Sequence, residues 1–128
     1  MIIGSGIDII NIYRIEKTIN KFGNRFKKRC FSSTEITKSE NSFNKNGSYA
    51  KRYAAKEACS KALGTGLARG VFWKDIEVIN NKYGKPYIKL HNRALKRIQE
   101  ISKKNFKIEV SLSDEKKYAI ATVIISEV

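Results

Sequence analysis

The segment Ser48-Tyr-Ala-Lys-Arg-Tyr-Ala-Ala-Lys-Glu-Ala-Cys-Ser-Lys-Ala-Leu-Gly-Thr-Gly66 is the most regular stretch of the chain and decides the interpretation of the rest. Alanine has the highest intrinsic helix propensity, so the run from Tyr49 to Leu63 predicts a helix. Ser48 precedes the run as a candidate N-cap, and Gly64 follows it where a helix commonly ends. The sequence therefore predicts one long helix followed by a flexible connector, residues 64–70.

Glu57 lies in the middle of this predicted helix, between the small residues Ala54 and Ala58. Lys61 follows one turn later, where a lysine can form an ion pair with a glutamate. The simpler interpretation is that pair alone, on an ordinary helix surface. The second interpretation is a carboxylate that stays accessible to a ligand, because no bulky side chain shields it.

A second notable carboxylate, Asp8, lies in the glycine-rich opening segment, residues 1–10. β-Branched residues predict a strand there, and the alternation of a strand places Gly4, Gly6 and Asp8 on one face. We therefore expect Asp8 on a face without bulky neighbours. Magnesium commonly takes one or two carboxylates and completes its shell with substrate phosphates. Asp8 and Glu57 are therefore candidate magnesium ligands.

The next segment carries a one-sided cluster of basic residues. Asn11 is a candidate N-cap, and apolar residues recur at helical spacing from Ile12 to Phe26, with Gly23 as a point where the helix ends or bends. If the helix runs through Gly23, five basic residues share an arc of about 80° opposite the apolar stripe. These residues, called the basic arc below, are Arg14, Lys17, Lys21, Arg25 and Lys28. The arc is either a solvated helix face or a docking surface for an acidic partner.

The remaining segments complete a mixed fold. In order, the pattern predicts a capped helix over 33–40, a loop over 41–48, the Ala-rich helix, strands over 75–80 and 87–90, a helix from Asn92, and a hairpin of strands over 106–113 and 118–126. The uncharged run 119–125 predicts a strand covered on both faces. The sum is an α+β fold in a single domain, residues 1–128, with an antiparallel sheet packed against three to four helices.

The composition limits the possible classes of protein. The chain has 128 residues, with 26 Lys and Arg against 12 Asp and Glu, and a net charge of +14. Such an excess suits an anionic partner, which could be nucleic acid, a phosphate-rich small molecule or an acidic protein. No apolar run approaches the roughly 18 residues of a membrane span, and no secretory signal is recognisable. We expect Cys30 and Cys59 to be reduced and the location to be cytoplasmic.

Two glycine-containing segments are candidate phosphate sites. Gly84-Lys85-Pro86 places a lysine on a turn between two strands, and Gly64 begins a segment of backbone amides at a helix end. Arg52 adds a guanidinium group on the Ala-rich helix. Each segment also has a simple structural explanation, because glycine favours tight turns and helix C-caps.

Taken together, these segments resemble the holo-[acyl-carrier-protein] synthases, the small bacterial class of 4′-phosphopantetheinyl transferases. The resemblance covers nearly the whole chain, and its motifs occur in order. They are Gly6-Ile-Asp8, Arg14-Ile15, Arg52-Tyr-Ala-Ala-Lys-Glu57-Ala-Cys-Ser-Lys61-Ala-Leu-Gly64-Thr-Gly66, Asp75-Ile-Glu-Val, Gly84-Lys85-Pro86, Val110-Ser-Leu-Ser113 and Tyr118-Ala-Ile-Ala-Thr-Val123. The Lys-Glu-Ala-x-x-Lys-Ala-x-Gly-Thr-Gly run is the most specific of them.

The resemblance implies an activity in fatty acid biosynthesis. The enzyme would transfer the 4′-phosphopantetheine arm of coenzyme A to a serine of apo acyl carrier protein, with Mg²⁺, and release adenosine 3′,5′-bisphosphate. Asp8 and Glu57 match the metal-binding carboxylates, and Lys61 matches a lysine near the coenzyme A phosphates. The family is typically a homotrimer of the 4′-phosphopantetheinyl transferase fold, with each active site between two subunits.

The site assignments follow residue by residue. The catalytic group is Asp8, Glu57 and Lys61, and the cofactor-binding residues are Arg52, Lys61, Gly64, Gly84, Lys85 and Pro86. Arg14 matches a family contact with the acidic carrier protein, and geometry alone extends that role to the other four residues of the basic arc. The base that takes the serine proton stays open between Glu57 and a metal-bound hydroxide.

One position departs from the family pattern. Many relatives have a histidine where this chain has Asp114, so no role of that histidine can be transferred, and His91 matches no catalytic position. Two other hypotheses remain at this point. The charge alone predicts a basic nucleic-acid-binding protein without enzymatic activity, and Asp114 alone suggests an inactive relative. The intact carboxylates favour the enzyme, for which we expect neither a nucleic acid nor a membrane as a partner.

Overall fold

Five helices and five strands make up the computed structural model, which describes residues 1–128. In chain order they are β1 (Ile2–Asn11), α1 (Ile12–Phe22), α2 (Asn24–Cys30), α3 (Ser33–Glu40), α4 (Lys45–Ala62), β2 (Ile76–Asn80), β3 (Pro86–Leu90), α5 (Asn92–Ile101), β4 (Phe106–Asp114) and β5 (Tyr118–Glu127). A 3₁₀ turn, Trp73–Asp75, precedes β2. The α+β class is confirmed, with five helices instead of three to four.

The strands form two antiparallel sheets, where the sequence predicted one. The larger sheet has the order β1-β5-β4, and Val123 in its central strand lies between Gly6 of β1 and Val110 of β4. The smaller sheet is the hairpin of β2 and β3, paired from Ile76 with Leu90. The predicted final hairpin is confirmed as β4 and β5.

Helix α4 packs against the larger sheet at unusually short range. A Cβ atom added at Gly6 would lie 1.9 Å from the carbonyl oxygen of Ala58, and one added at Gly4 would lie 2.2 Å from that of Ala62. The face of β1 that carries Gly4, Gly6 and Asp8 has no bulky side chains at its glycines, as expected, but it is covered by α4. The glycines lack side chains because the backbone of α4 occupies that space, and this close approach brings Asp8 beside α4.

Gly6→Ala is expected to destabilise the protein by about 1–3 kcal/mol, because the added methyl group must push α4 away from β1. Ser5→Ala is the matched control, since Ser5 is exposed on the opposite face of the same strand. Urea denaturation of both variants measures the difference. A Gly6→Ala variant as stable as Ser5→Ala would contradict the close contact.

One helix boundary confirms a predicted alternative, and a second differs from the prediction. Gly23 adopts a φ of 56°, which residues other than glycine rarely adopt, and it separates α1 from α2. Helix α4 begins at Lys45, because the side chain of Asn44 accepts a hydrogen bond from the Gly47 amide. Ser48 is therefore not an N-cap but a buried residue of the first turns.

One face of the larger sheet has no cover within the chain. β5 alternates between buried and exposed residues, so the prediction that this strand is covered on both faces is wrong for a single chain. The exposed face carries large apolar side chains at Ile7, Ile9, Tyr118, Ile120 and Ile124. None of the five helices is long and apolar enough to span a bilayer.

Candidate active site

The contact between β1 and α4 joins Asp8 to Lys61. The ammonium group of Lys61 lies 3.2 Å from the Asp8 carboxylate and also donates to the Ile7 carbonyl at 2.9 Å. The Asp8 side chain is 17% exposed, whereas that of Lys61 is 51% exposed. The ion pair of Lys61 therefore forms with Asp8 and not with Glu57, one turn away on its own helix.

The carboxylates of Glu57 and Asp8 lie close enough to interact electrostatically. Burial raises the pKa of Glu57, the negative charge of Asp8 raises it further, and Lys61 partly opposes the shift. Two carboxylates that repel each other in this way suit a shared cation, which would remove the repulsion. Their hard oxygen atoms fit Mg²⁺. No group of three or more His, Cys, Asp or Glu side chains surrounds a common point, so water and substrate oxygens would complete the shell.

A second polar cluster is built around Arg52, farther toward the start of α4. Arg52 is 6% exposed and donates to the Ser48 hydroxyl at 2.9 Å and to the Asn80 side-chain oxygen at 2.8 Å. The Asn80 amide in turn donates to the Gly84 carbonyl at 3.0 Å. This chain of hydrogen bonds connects α4 to the turn that carries Lys85.

A polar cavity of about 300 Å³ adjoins Arg52. Its lining contains no apolar side chain and includes Lys38, Ser48, Lys51, Arg52 and Asn80. The Nε atom of Arg52 is buried and has no hydrogen-bond partner. Burial lowers the pKa of Arg52, and the charge of Glu35 partly restores it. A buried donor without a partner, beside a cavity lined by lysines, fits an anionic acceptor such as a phosphate.

The predicted cofactor residues fall into two separate groups. Gly64, with a φ of 80°, ends α4 beside Lys61, whereas Arg52 joins the turn of Gly84, Lys85 and Pro86. No hydrogen bond or ion pair links the two groups. Along α4, Arg52 and Glu57 are separated by about 7.5 Å and about 140° of rotation, so they face different directions.

The basic arc is divided between two helices. Arg14, Lys17 and Lys21 lie on α1, and Arg25 and Lys28 lie on α2. The condition for a single continuous arc is therefore not met, because the helix ends at Gly23. All five side chains are nevertheless exposed and form no ion pair, so their charge is free to attract an acidic surface.

Sequence reasoning missed several polar residues near these sites. Lys38, Lys51 and Asn80 line the Arg52 cavity, and only their proximity to Arg52 and to the Gly84 turn could have indicated them. Asp114, the position that departs from the family pattern, pairs with Lys51 at 3.3 Å. His91 pairs with Glu77 at 2.9 Å, away from the carboxylate pair.

The carboxylate pair suits a divalent cation, and the basic cavity suits phosphate groups. The family model described as the 4′-phosphopantetheinyl transferase superfamily matches residues 4–123, and the chain belongs to that superfamily. Its curated relatives include holo-[acyl-carrier-protein] synthases of Rhizobium rhizogenes, 52% identical over 98% of this chain and 95% of the relative, and of Parvibaculum lavamentivorans, 50% identical over 100% and 98%. The resemblance to this group is confirmed.

Solved structures agree with the sequence relatives. The holo-[acyl-carrier-protein] synthase of Neisseria meningitidis superposes with a TM-score of 0.86 at 32% identity, over 99% of this chain and 100% of that one. The Helicobacter pylori enzyme, solved with coenzyme A, gives 0.82 at 32% identity over 95% and 99%. The chain is thus a phosphopantetheinyl transferase, and the hypotheses of a nucleic-acid binder without enzymatic activity and of an inactive relative are wrong.

Proposed function

We propose that the protein transfers the 4′-phosphopantetheine group of coenzyme A to a serine of apo acyl carrier protein, with Mg²⁺, and releases adenosine 3′,5′-bisphosphate. The observation that carries the proposal is the grouping of Asp8, Glu57 and Lys61 where β1 meets α4. Coenzyme A is present in the Helicobacter pylori relative, which supports it as the donor. The modified carrier protein would serve fatty acid biosynthesis.

Asp8 and Glu57 would hold the magnesium ion. They present oxygen atoms from two different elements, and the like charge that raises the pKa of Glu57 is the charge that a cation would neutralise. When bound, the ion supplies charge neutralisation for the pyrophosphate of coenzyme A.

The protein's own side chains would bind, orient and move a proton. The serine oxygen attacks the phosphorus that bears the pantetheine arm, and the bond from that phosphorus to the leaving adenosine 3′,5′-bisphosphate breaks. Such transfers depend mainly on positioning and charge. Lys61, half exposed and held by Asp8, would stabilise the leaving phosphate. Within the chain, the candidate to accept the serine proton is the Glu57 carboxylate, because it lies beside Asp8 and Lys61 at the proposed reaction centre.

The nucleotide half of coenzyme A would occupy the cavity beside Arg52. Its phosphates would meet the unpartnered Nε atom of Arg52 and the lysines of the lining. Gly84, Lys85 and Pro86 lie on the adjoining turn. The Lys85 side chain is 64% exposed and pairs with Glu109 at 3.7 Å, a surface ion pair that it would exchange for a ligand phosphate. The residues of the domain, 1–128, would thus provide two half-sites rather than one closed pocket.

A homotrimer would join these half-sites. The uncovered sheet face carries Ile7, Ile9, Ile120 and Ile124, and burial of such a surface favours association. Sedimentation measures the assembly state. Mixing the variants Arg52→Gln and Glu57→Gln, each inactive alone, should recover activity at about one quarter of the sites if a site takes its halves from two subunits. If the two variants form mixed trimers but recover no activity, the active sites are not shared between subunits.

Mass spectrometry of apo carrier protein tests the function directly. After incubation with the enzyme, coenzyme A and Mg²⁺, the carrier protein should gain the mass of one phosphopantetheine group, and a chelator should prevent the gain. A carrier protein whose acceptor serine is replaced by alanine is the control. Folded enzyme that leaves the mass unchanged in the presence of Mg²⁺ would overturn the proposal.

The basic arc is expected to act on the carrier protein and not on coenzyme A. Reversing two charges, by Lys21→Glu and Arg25→Glu, should raise the KM for carrier protein roughly tenfold at low salt and leave the KM for coenzyme A nearly unchanged, since complementary charge mainly speeds association. The control is Lys103→Glu with Lys104→Glu, an equal charge change on exposed residues elsewhere. If both double variants raise the KM for carrier protein equally, the basic arc is an ordinary solvated surface and not a docking surface.

A further inference from the structure

Two arginines of α5 hold the connector that follows α4. The Nε atom of Arg97 donates to the Leu63 carbonyl at 2.9 Å, and the Nε atom of Arg93 donates to the Arg69 carbonyl at 3.4 Å. One helix therefore contacts both ends of residues 63–70. An arginine at the carbonyl end of a helix is also favoured by the helix dipole.

Glu100 joins the two arginines. Its carboxylate oxygens lie 3.4 Å from Nη1 of Arg97 and 3.7 Å from Nη1 of Arg93. Both arginines pack against glycines of the connector, since a Cβ atom at Gly64 would lie 3.3 Å from Nη2 of Arg97, and one at Gly70 would lie 3.3 Å from Cγ of Arg93. Arg93, Arg97 and Glu100 are called the α5 clip below.

The α5 clip has a rigid base. Ala94 and Ile98, on the inner face of α5, are completely buried in the main core. The charged residues project from the same helix toward the connector, and the Arg97 side chain is only 27% exposed. A contact made from a fixed helix can restrain the segment that it touches.

The connector has little structure of its own. Gly64, Gly66, Arg69 and Gly70 all have positive φ values, and glycine populates many such conformations without strain. The amides of Thr65 and Gly66 bond to the Ser60 carbonyl at the end of α4, and the Thr65 hydroxyl donates to the Gly66 carbonyl. With so few bonds of its own, this segment depends on contacts from outside for its conformation, and it starts three residues after Lys61.

We propose that the α5 clip consists of positioning residues, which set the connector and the adjacent end of α4 so that Lys61 and the Gly64 amide meet the phosphates of coenzyme A. The inference rests on the role proposed above for Lys61 at the leaving phosphate of coenzyme A, and on the expectation from the family resemblance that Gly64 lies at the same site. The clip acts through the backbone of residues 63–70 and does not touch the reacting atoms. Loss of the clip should therefore weaken the binding of coenzyme A. It should leave the carrier-protein surface on α1 and α2 unchanged.

Steady-state kinetics of Arg97→Gln provide the first test. The KM for coenzyme A should rise roughly tenfold, the effect of about one lost hydrogen bond from a charged donor, while the KM for carrier protein stays at the value of the control. Arg97→Lys should recover only part of the loss, because lysine lacks the planar fork of arginine. Lys96→Gln is the control, an exposed neighbour on the same helix. Equal increases in both KM values would overturn the inference.

Hydrogen exchange tests the α5 clip independently of the proposed function, because the measurement needs no substrate. Amides of residues 63–70 should exchange faster in Arg97→Gln than in Lys96→Gln without any substrate present, and unchanged exchange would refute the α5 clip. Glu100→Gln, which keeps both arginines, should show a smaller increase in the exchange rate of the same amides. If Arg97→Gln does not fold, unchanged exchange in Glu100→Gln would refute the α5 clip. If Lys61→Ala leaves coenzyme A binding intact, the proposed substrate site fails instead.

Discussion

Asp8→Asn and Glu57→Gln should each reduce Mg²⁺-dependent modification of apo carrier protein roughly a thousandfold. Either change keeps the shape of the side chain and removes one of the two negative charges that would hold the cation. Loss of several kcal/mol of transition-state stabilisation corresponds to a factor of this size, since each 1.36 kcal/mol is tenfold in rate. The two residues come from separate elements, β1 and α4, so neither can replace the other.

The measurement combines activity with metal binding. Calorimetric titration with Mg²⁺ in the presence of coenzyme A should show weaker binding to both variants, and the rates should fall in parallel. Glu115→Gln is the matched control, because Glu115 is an exposed carboxylate in the turn between β4 and β5. Full activity in Asp8→Asn or in Glu57→Gln would remove that residue from the metal site.

Lys56→Met is expected to cost about 3–5 kcal/mol of unfolding free energy, because it leaves an uncompensated charge in the core. Lys56 and Glu35 are both completely buried and lie 2.9 Å apart. The ammonium group also donates to the carbonyls of Trp73 and Ile76. Burial lowers the pKa of Lys56, and the charge of Glu35 opposes that shift. The pair joins α3, α4 and the segment before β2.

A double-mutant cycle by urea denaturation measures this effect. Lys56→Met with Glu35→Gln should lose less stability than Lys56→Met alone, because the second change removes the isolated carboxylate charge. The gain is partial, since Ser32 and Val78 donate to different oxygens of Glu35 and the glutamine side chain keeps only one of them. Lys74→Met, on an exposed side chain, should stay within about 0.5 kcal/mol of the unchanged protein. A loss below about 1 kcal/mol in Lys56→Met would contradict a strong buried pair.

Local patterns in the sequence were sufficient for the elements that depend on local physics. The Ala-rich run predicted most of α4, and the two strand-like runs on either side of residues 114–117 predicted the hairpin of β4 and β5. The break at Gly23 was only one of two possibilities, since glycine can be accommodated within a helix. The start of α4 was missed because Asn44 to Ser48 have low helix propensity, and burial of Gly47 and Ser48 against the rest of the fold outweighs it.

The site was predictable only in part, for a similar reason. The family motifs indicated Asp8, Glu57 and Lys61, but not that Lys61 would pair with Asp8, which is 53 residues away in the chain. The Glu35–Lys56 pair spans 21 residues and had no local signal. Such partners follow from the packing of separate elements, which hydrophobic periodicity describes only in outline.

If coenzyme A binds beside Arg52 as proposed, the unsatisfied nitrogen of that residue would make the stability of the protein depend on its substrate. A buried donor left without an acceptor costs about 1–3 kcal/mol in the free chain. A phosphate that enters the cavity removes this cost, and a ligand that binds only the folded state further raises the population of that state. When the donor substrate is depleted, the enzyme would become not only idle but also easier to unfold and degrade, so that its abundance in the cell would follow the supply of coenzyme A.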